Sequence, residues 1–194
     1  MSAVEIVAIG ASWGGLAAIE RVLGALPADF AAPVVIAQHR RRGVDGGLAD
    51  LLGGHCELQV CEAEDKQALE PGRVLLAPPD YHLLVEPGAV ALSVDEPVHY
   101  SRPSIDVLLR SAADAYGDGA VGVVLTGAND DGASGLAQIV ARGGTAIVQD
   151  PESAERREMP DAALAAAPAA HVLAIEQIGR TLAGLAVTAQ RARS

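Results

Sequence analysis

The 194-residue sequence is poor in aromatic side chains, with one Trp, one Phe and three Tyr, or 3% of the chain. Half of the residues are apolar, so a core can be buried, but it must be built from Ala, Val, Leu and Ile. The composition is not that of a disordered chain. Basic residues are also scarce, 14 Lys and Arg against 25 Asp and Glu, for a formal net charge of −11. That argues against nucleic acid as a partner, because general binding to a phosphate backbone needs a basic face. Only two cysteines occur, Cys56 and Cys61. Their spacing is not C-x-x-C and no histidine pair lies near, so no zinc site or disulfide framework is expected. They read as ordinary reduced thiols. Long apolar runs are missing too. The most apolar stretch, residues 162–175, is mostly alanine and is broken by Pro168 and His171, which makes it a poor membrane span. The N-terminal residues lack the basic segment and apolar run of a secretory signal. No linker rich in Pro, Gly or Ser divides the chain, and no internal repeat is found. These absences leave one cytoplasmic domain over residues 1–194 as the expectation.

Two kinds of apolar pattern alternate along the chain. Short β-branched runs occur at Val4–Ile9, Pro33–Ala37, Arg73–Ala77, Ala120–Leu125, Thr145–Val148 and His171–Ile175. Several are nearly continuous, as strands buried on both faces should be. Between them, Leu16, Ile19, Val22, Leu23 and Leu26 share one face of a helix, as do Ile105, Leu108, Leu109 and Ala112, and then Leu136, Ile139 and Val140. Strand–helix alternation predicts an α/β fold, a doubly wound and mainly parallel sheet flanked by helices. One segment departs from it: His82 to Val94, with a Pro-Gly pair at its centre, predicts a β-hairpin insertion. The acidic run Glu62–Asp65 reads as a solvated loop, and the tail ending QRARS as a frayed helix end with basic residues suited to its C-terminus.

The first strand runs into Gly10-Ala11-Ser12-Trp13-Gly14-Gly15. This is no dinucleotide fingerprint, because Ser12 stands where the second Gly is needed. It is no P-loop, because Leu16 follows Gly15 where Lys is needed. It does satisfy G-x-S-x-G between a strand and a helix, the setting of a serine nucleophile. A plain helix N-cap at Ser12 is the competing interpretation.

A serine nucleophile needs a base and a group to orient it. Of the five histidines, His39 stands directly after the second apolar strand, in VVIAQH. Ligands of open parallel sheets bind at the carboxyl ends of strands, where both Ser12 and His39 fall. His55, His82, His99 and His171 read as ordinary surface or core residues. The acid should also come from a carboxyl end. The strand Gly119–Leu125 is followed by Thr126-Gly127-Ala128-Asn129-Asp130-Asp131-Gly132, in which Asp130 and Asp131 are both candidates. A simple turn is the competing interpretation. Calcium-loop spacing is absent. The order Ser…His…Asp also differs from the Ser…Asp…His of α/β-hydrolases.

Taken together, these segments resemble the catalytic domain of the CheB chemotaxis receptor methylesterases. IGASWGG is similar to the family's I-G-A-S-x-G-G, IAQH to its Q-H segment and LLAPPDYHLLV to its A-P-x-x-x-H segment. SRPSIDVLL is similar to R-P-S-x-D-x-L, and LTGANDDGASG to L-T-G-x-x-x-D-G. The resemblance puts the catalytic serine, histidine and aspartate on Ser12, His39 and Asp131. It implies hydrolysis of glutamate γ-methyl esters on the cytoplasmic helices of methyl-accepting chemotaxis receptors, with deamidation of glutamines in some members, and no metal or organic cofactor. Main-chain N–H groups of Trp13 and Ala128 are the candidate oxyanion donors. A receiver domain usually precedes the family's catalytic domain, whereas this chain starts on the first catalytic strand, so a stand-alone enzyme or a separated domain is expected. Three departures border the expected cleft. Arg40, Arg41 and Arg42 stand where Met-Pro usually follows the histidine, Ala128 where Met follows L-T-G, and Glu158 where Gly precedes Met-Pro. The three arginines are candidates for docking a protein substrate, with a solvated surface loop, the usual state of a charge run, as the competing interpretation. An esterase acting outside chemotaxis and a non-catalytic regulatory module on the same fold are the alternatives.

Overall fold

The computed structural model describes residues 4–40 and 47–193. In chain order, β1 (Ile6–Ala11), α1 (Gly15–Leu23), β2 (Val34–Gln38), α2 (Leu48–Gly53), β3 (Gln59–Glu62) and β4 (Arg73–Leu76) come first. The hairpin strands β5 (His82–Glu86) and β6 (Ala89–Ser93) follow, then α3 (Ile105–Tyr116), β7 (Ala120–Val124), α4 (Ala133–Ala141), β8 (Thr145–Gln149), α5 (Glu158–Ala166), β9 (His171–Leu173) and α6 (Ile175–Arg193). Seven strands form one parallel sheet in the order β3-β4-β2-β1-β7-β8-β9. On one side of β1 the chain lays down β2, then β3 at the edge, and β4 fills the place between them; it then returns to build the other side from β7 outward. The reversal lies between β1 and β7, and such switch points open a crevice at the strands' carboxyl ends.

β1, β2 and β7 are buried along their whole length, because helices cover both faces. Along β1 the side chains alternate. Ile6 and Ala8 join the core under α3, α4, α5 and the hairpin, while Val7, Ile9 and Ala11 join the core under α1, α2 and α6. Burial on both faces explains the continuous apolar runs. The hairpin pairs His82–Glu86 with Ala89–Ser93 across Pro87 and Gly88, and Gly88 supplies the positive φ that the turn needs. Among the described residues no helix is long and apolar enough to cross a membrane, and both cysteines are free.

The sequence patterns did not anticipate three elements. β3 is a polar edge strand, α2 is only six residues long, and α5 carries Pro160 in its first turn, where a missing N–H costs nothing. The acidic run Glu62–Asp65 is more than a solvated loop. Glu62 closes β3, and the Asp65 carboxylate accepts a hydrogen bond from Leu92 N at 3.0 Å.

Candidate active site

Ser12, His39 and Asp131 leave the carboxyl ends of β1, β2 and β7, which are neighbours in the sheet. The ladder continues past β1, with Leu125 N donating to Gly10 O at 2.9 Å and Ser12 N to Thr126 O at 3.0 Å. Gly14 then takes φ 75° and becomes the N-cap of α1, a conformation open to glycine without strain. Ser12 is therefore not the helix cap, and its hydroxyl is left for other work. Its Oγ lies 3.2 Å from His39 Nδ1. His39 is fixed by its own N–H on Ala11 O at 3.0 Å. The Gln38 amide bonds both Ser12 O (2.9 Å) and His39 O (3.0 Å) and so ties the two loops together.

The other ring nitrogen, Nε2, lies 2.8 Å from Asp131 Oδ2. An ionised Asp131 accepts from Nε2–H, which leaves the Nδ1 lone pair facing the serine hydroxyl. Asp131 accepts four hydrogen bonds. His39 Nε2 and Ile105 N reach Oδ2 (both 2.8 Å), and Ser104 Oγ and Asp106 N reach Oδ1 (both 2.9 Å). Three of the donors come from the N-terminus of α3, where N–H groups and the helix dipole favour an anion. Gly10 makes this approach possible, because a Cβ there would overlap the Ile105 side chain. Burial pushes the Asp131 carboxyl up, but the hydrogen bonds from His39, Asp106 and Ile105 outweigh it and hold the group below its ordinary value. Asp130 is exposed and pairs instead with His99 Nδ1 at 3.2 Å. The structure thus separates the two aspartates that the sequence motif left open.

A further layer supports this arrangement. Ser104 caps α3, its Oγ accepting from Val107 N at 3.4 Å. Its own N–H donates to buried His82 Nδ1 at 3.1 Å, while His82 Nε2 lies 3.1 Å from Glu96 O. Asp106 Oδ1 accepts from Gly132 N (3.1 Å) and Gly135 N (2.7 Å), which binds the start of α3 to the start of α4. Its Oδ2 has no hydrogen bond and faces His99 Nε2 at 3.5 Å and Arg110 Nη2 at 3.6 Å. Burial, with the nearby Asp131 charge, raises the Asp106 carboxyl against the pull of the Gly135 N–H.

A family model described as CheB methylesterase matches residues 7–182. The chain belongs to the CheB methylesterase family. It is 45% identical over 175 residues to a putative protein-glutamate methylesterase/protein-glutamine glutaminase of Leptospira interrogans, covering 90% of this chain and 91% of that one. It is 42% identical over 178 residues to the protein-glutamate methylesterase FrzG of Myxococcus xanthus, of which it spans 53%. The crystal structure of the Thermotoga maritima CheB methylesterase catalytic domain superposes with a TM-score of 0.89 at 35% identity, covering 95% of this chain and all of that one. This CheB-family chain is accordingly an enzyme, a hydrolase.

Neither the Trp13 nor the Ala128 main-chain N–H is engaged by an acceptor among the described residues. The neighbouring Gly127 N is taken by Arg156 O at 3.1 Å. Arg40 is not a free docking charge. Its side chain is 11% exposed, with Nη1 on Glu62 Oε1 at 2.9 Å and Nη2 on Ala77 O at 2.7 Å. The guanidinium instead clamps the loop after β2 to the ends of β3 and β4. Arg41 and Arg42 lie outside the described residues. Glu158 opens α5, half exposed, 3.9 Å from Arg156 Nη1. Among the described residues no cluster of His, Cys, Asp and Glu is arranged to hold a metal ion. Sequence reasoning missed Ser104, Asp106 and His82. The cap preference of Ser ahead of the helical run IDVLL was an available signal for the first. His82 is the histidine of the segment similar to A-P-x-x-x-H and Asp106 the aspartate of the one similar to R-P-S-x-D-x-L, so for these two the motifs were the available signal.

Proposed function

We propose that this chain demethylates glutamate γ-methyl esters on the cytoplasmic helices of chemoreceptors, with Ser12 as the nucleophile. His39 Nδ1 takes the hydroxyl proton as Ser12 Oγ attacks the ester carbonyl, and Asp131 holds the imidazole and stabilises its cation. The Trp13 and Ala128 N–H groups receive the negative charge that develops on the carbonyl oxygen, each such donor being worth ~3 kcal/mol of barrier. Collapse of the tetrahedral intermediate expels methanol, which takes the proton from His39. Water then attacks the acyl-enzyme, again with His39 as base, and frees Ser12 and a glutamate carboxylate. With a primary amide in place of the ester the same steps expel ammonia, which is glutamine deamidation, the second activity in the name of the Leptospira relative. The cytoplasm is the compartment this substrate requires.

The observation that carries the proposal is the unbroken line from Ser12 Oγ to His39 at 3.2 Å and from His39 to Asp131 at 2.8 Å. Methanol release from a methylated receptor fragment is the test. Wild type should release it, and Ser12→Ala should stop release while the circular dichroism spectrum stays the same. Turnover by Ser12→Ala within about tenfold of wild type (under about 1.4 kcal/mol of barrier) rules out the serine mechanism.

A further inference from the structure

This chain has five aromatic side chains, Trp13, Phe30, Tyr81, Tyr100 and Tyr116. Phe30 is buried, and the Tyr116 hydroxyl accepts the Gly88 N–H at 2.9 Å. The other three are exposed, and all three stand at the edge of the sheet that carries the triad. Trp13 follows Ser12 in sequence. Tyr81 lies in the turn leaving β4, between Asp80, which is held by Arg102, and His82, which is held by Ser104. Tyr100 follows His99, whose ring pairs with Asp130. Exposed aromatics gathered around a reactive edge mark a binding surface rather than leftover core.

Trp13 is the most constrained of them. It is 56% exposed, yet it is not loose. Its indole N–H donates to Glu155 Oε1 at 2.8 Å. The Arg156 guanidinium, itself 48% exposed, lies 5.3 Å from the ring centroid, within cation–π range. Thr126 Oγ1 bonds Trp13 O at 3.0 Å and accepts from Arg156 N at 2.9 Å, so one hydroxyl fixes the backbone of both partners. Glutamate, arginine and threonine thus hold a large apolar ring in water, one residue from the nucleophile. The I-G-A-S-x-G-G pattern leaves this position open, so the fold itself does not demand a tryptophan there.

We infer that Trp13, backed by Arg156, is the docking anchor for the protein segment that carries the ester, and that the segment is a helix with an aliphatic side chain one turn from the esterified glutamate. Consecutive Cα atoms lie 3.8 Å apart, and residues i and i+3 or i+4 of a helix have Cβ atoms about 5–6 Å apart on one face. With the γ-ester carbonyl at Ser12 Oγ, the proposed docking places a side chain one turn away on the indole of the neighbouring residue. Trp and Arg, rigid and amphipathic, are the side chains that most often dominate such contacts. This inference rests on the methylesterase reading above and names the part of the enzyme that selects protein esters over free small ones.

Trp13 is the single tryptophan of the sequence, so its fluorescence reports on this contact alone. Ser12→Ala enzyme should bind a γ-methylated helical peptide without consuming it. Its emission should then shift to shorter wavelength, saturably and in step with binding measured by anisotropy of a labelled peptide. A peptide with Ser in place of the aliphatic residue should bind more weakly and shift less. In turnover, Trp13→Ala should lower kcat/KM for the peptide ester about tenfold relative to kcat/KM for a small acetate ester. Trp13→Phe, which keeps an apolar ring, should restore most of that ratio. If wild type hydrolyses the peptide ester while binding leaves the emission unmoved and Trp13→Ala leaves the ratio unmoved, the docking inference is overturned and the methylesterase reading survives. If wild type hydrolyses the small ester but no methylated peptide, both are overturned.

Discussion

The Ser104 hydroxyl donates to Asp131 Oδ1 at 2.9 Å, on the oxygen that His39 does not use. The acid opposite the histidine is thus held by a serine which buried His82 fixes through its main chain. A carboxylate that loses one donor becomes a stronger partner for an imidazolium. Ser104→Ala should therefore move the acidic limb of the kcat/KM–pH profile upward, because the donor it removes steadies the Asp131 charge. Ser104→Thr keeps the hydroxyl and should restore the wild-type limb. Profiles that superpose for all three enzymes would show that Ser104 only caps α3.

Asp131→Asn should cost orders of magnitude in turnover, approaching ~10⁴-fold, by forcing the wrong imidazole tautomer. Asp130→Asn, which changes an exposed residue paired to His99, should stay within about threefold, the range of a modest surface perturbation. Steady-state kinetics on a small ester decide between them, and the reverse order would move the acid by one residue.

The two carboxylates at the α3 N-terminus should give pH dependences of opposite sign. Asp131 is held below its ordinary value, so its contribution to stability is fully present above that value and is lost as pH falls through the lower folded one. Asp106 is raised. Its penalty appears as pH rises from the ordinary carboxylate value through the higher folded one. In urea titrations, wild type should lose its advantage over Asp131→Asn on acidification. Against Asp106→Asn it should lose ground as pH rises through the range just above the ordinary carboxylate value. Parallel curves would contradict both assignments.

Arg40→Gln should lower the urea-unfolding free energy by about 2 kcal/mol, because Glu62 and Ala77 O lose a charged donor. A docking charge behaves otherwise, with little change in stability and a loss on protein substrate that fades as salt screens it, over ~10 Å at 0.1 M. Unfolding midpoints, together with KM at low and high salt, discriminate the two roles.

Gly10→Ala should destabilise the fold by about 1–3 kcal/mol through overpacking against Ile105. It should also depress kcat, since Ile105 and Asp106 supply N–H groups to Asp131. A stability loss with kcat intact would mean that α3 can shift without disturbing the acid.

Much of this was legible in the residues themselves. The strands buried on both faces announced themselves as continuous apolar runs, and the placement of Ser12 and His39 at strand ends followed from that. β3 escaped because an edge strand reading Gln-Val-Cys-Glu shows neither a run nor a clean alternation. Arg40 was misread for the same reason. Its partner Glu62 closes that unseen strand, so a buried clamp looked like part of a surface charge run. The choice between Asp130 and Asp131 needed either the family motif or the third dimension, since both fit one turn pattern. Ser104 and His82 act through contacts 22 and 27 residues apart in sequence, which no local spacing encodes.

The parallel pairing of β1 with β7 has a consequence for synthesis. His39 follows Ser12 by 27 residues, but Asp131 comes a further 92 residues on. Domains are made from the N-terminus onward, and such long-range pairings form late. A ribosome-bound chain ending before residue 131 displays the serine and the histidine with nothing to orient the ring. On the proposed mechanism, full hydrolytic power arrives only with closure of the switch point. Labelling of Ser12 by a covalent serine probe should for the same reason track completed molecules in a translation mixture.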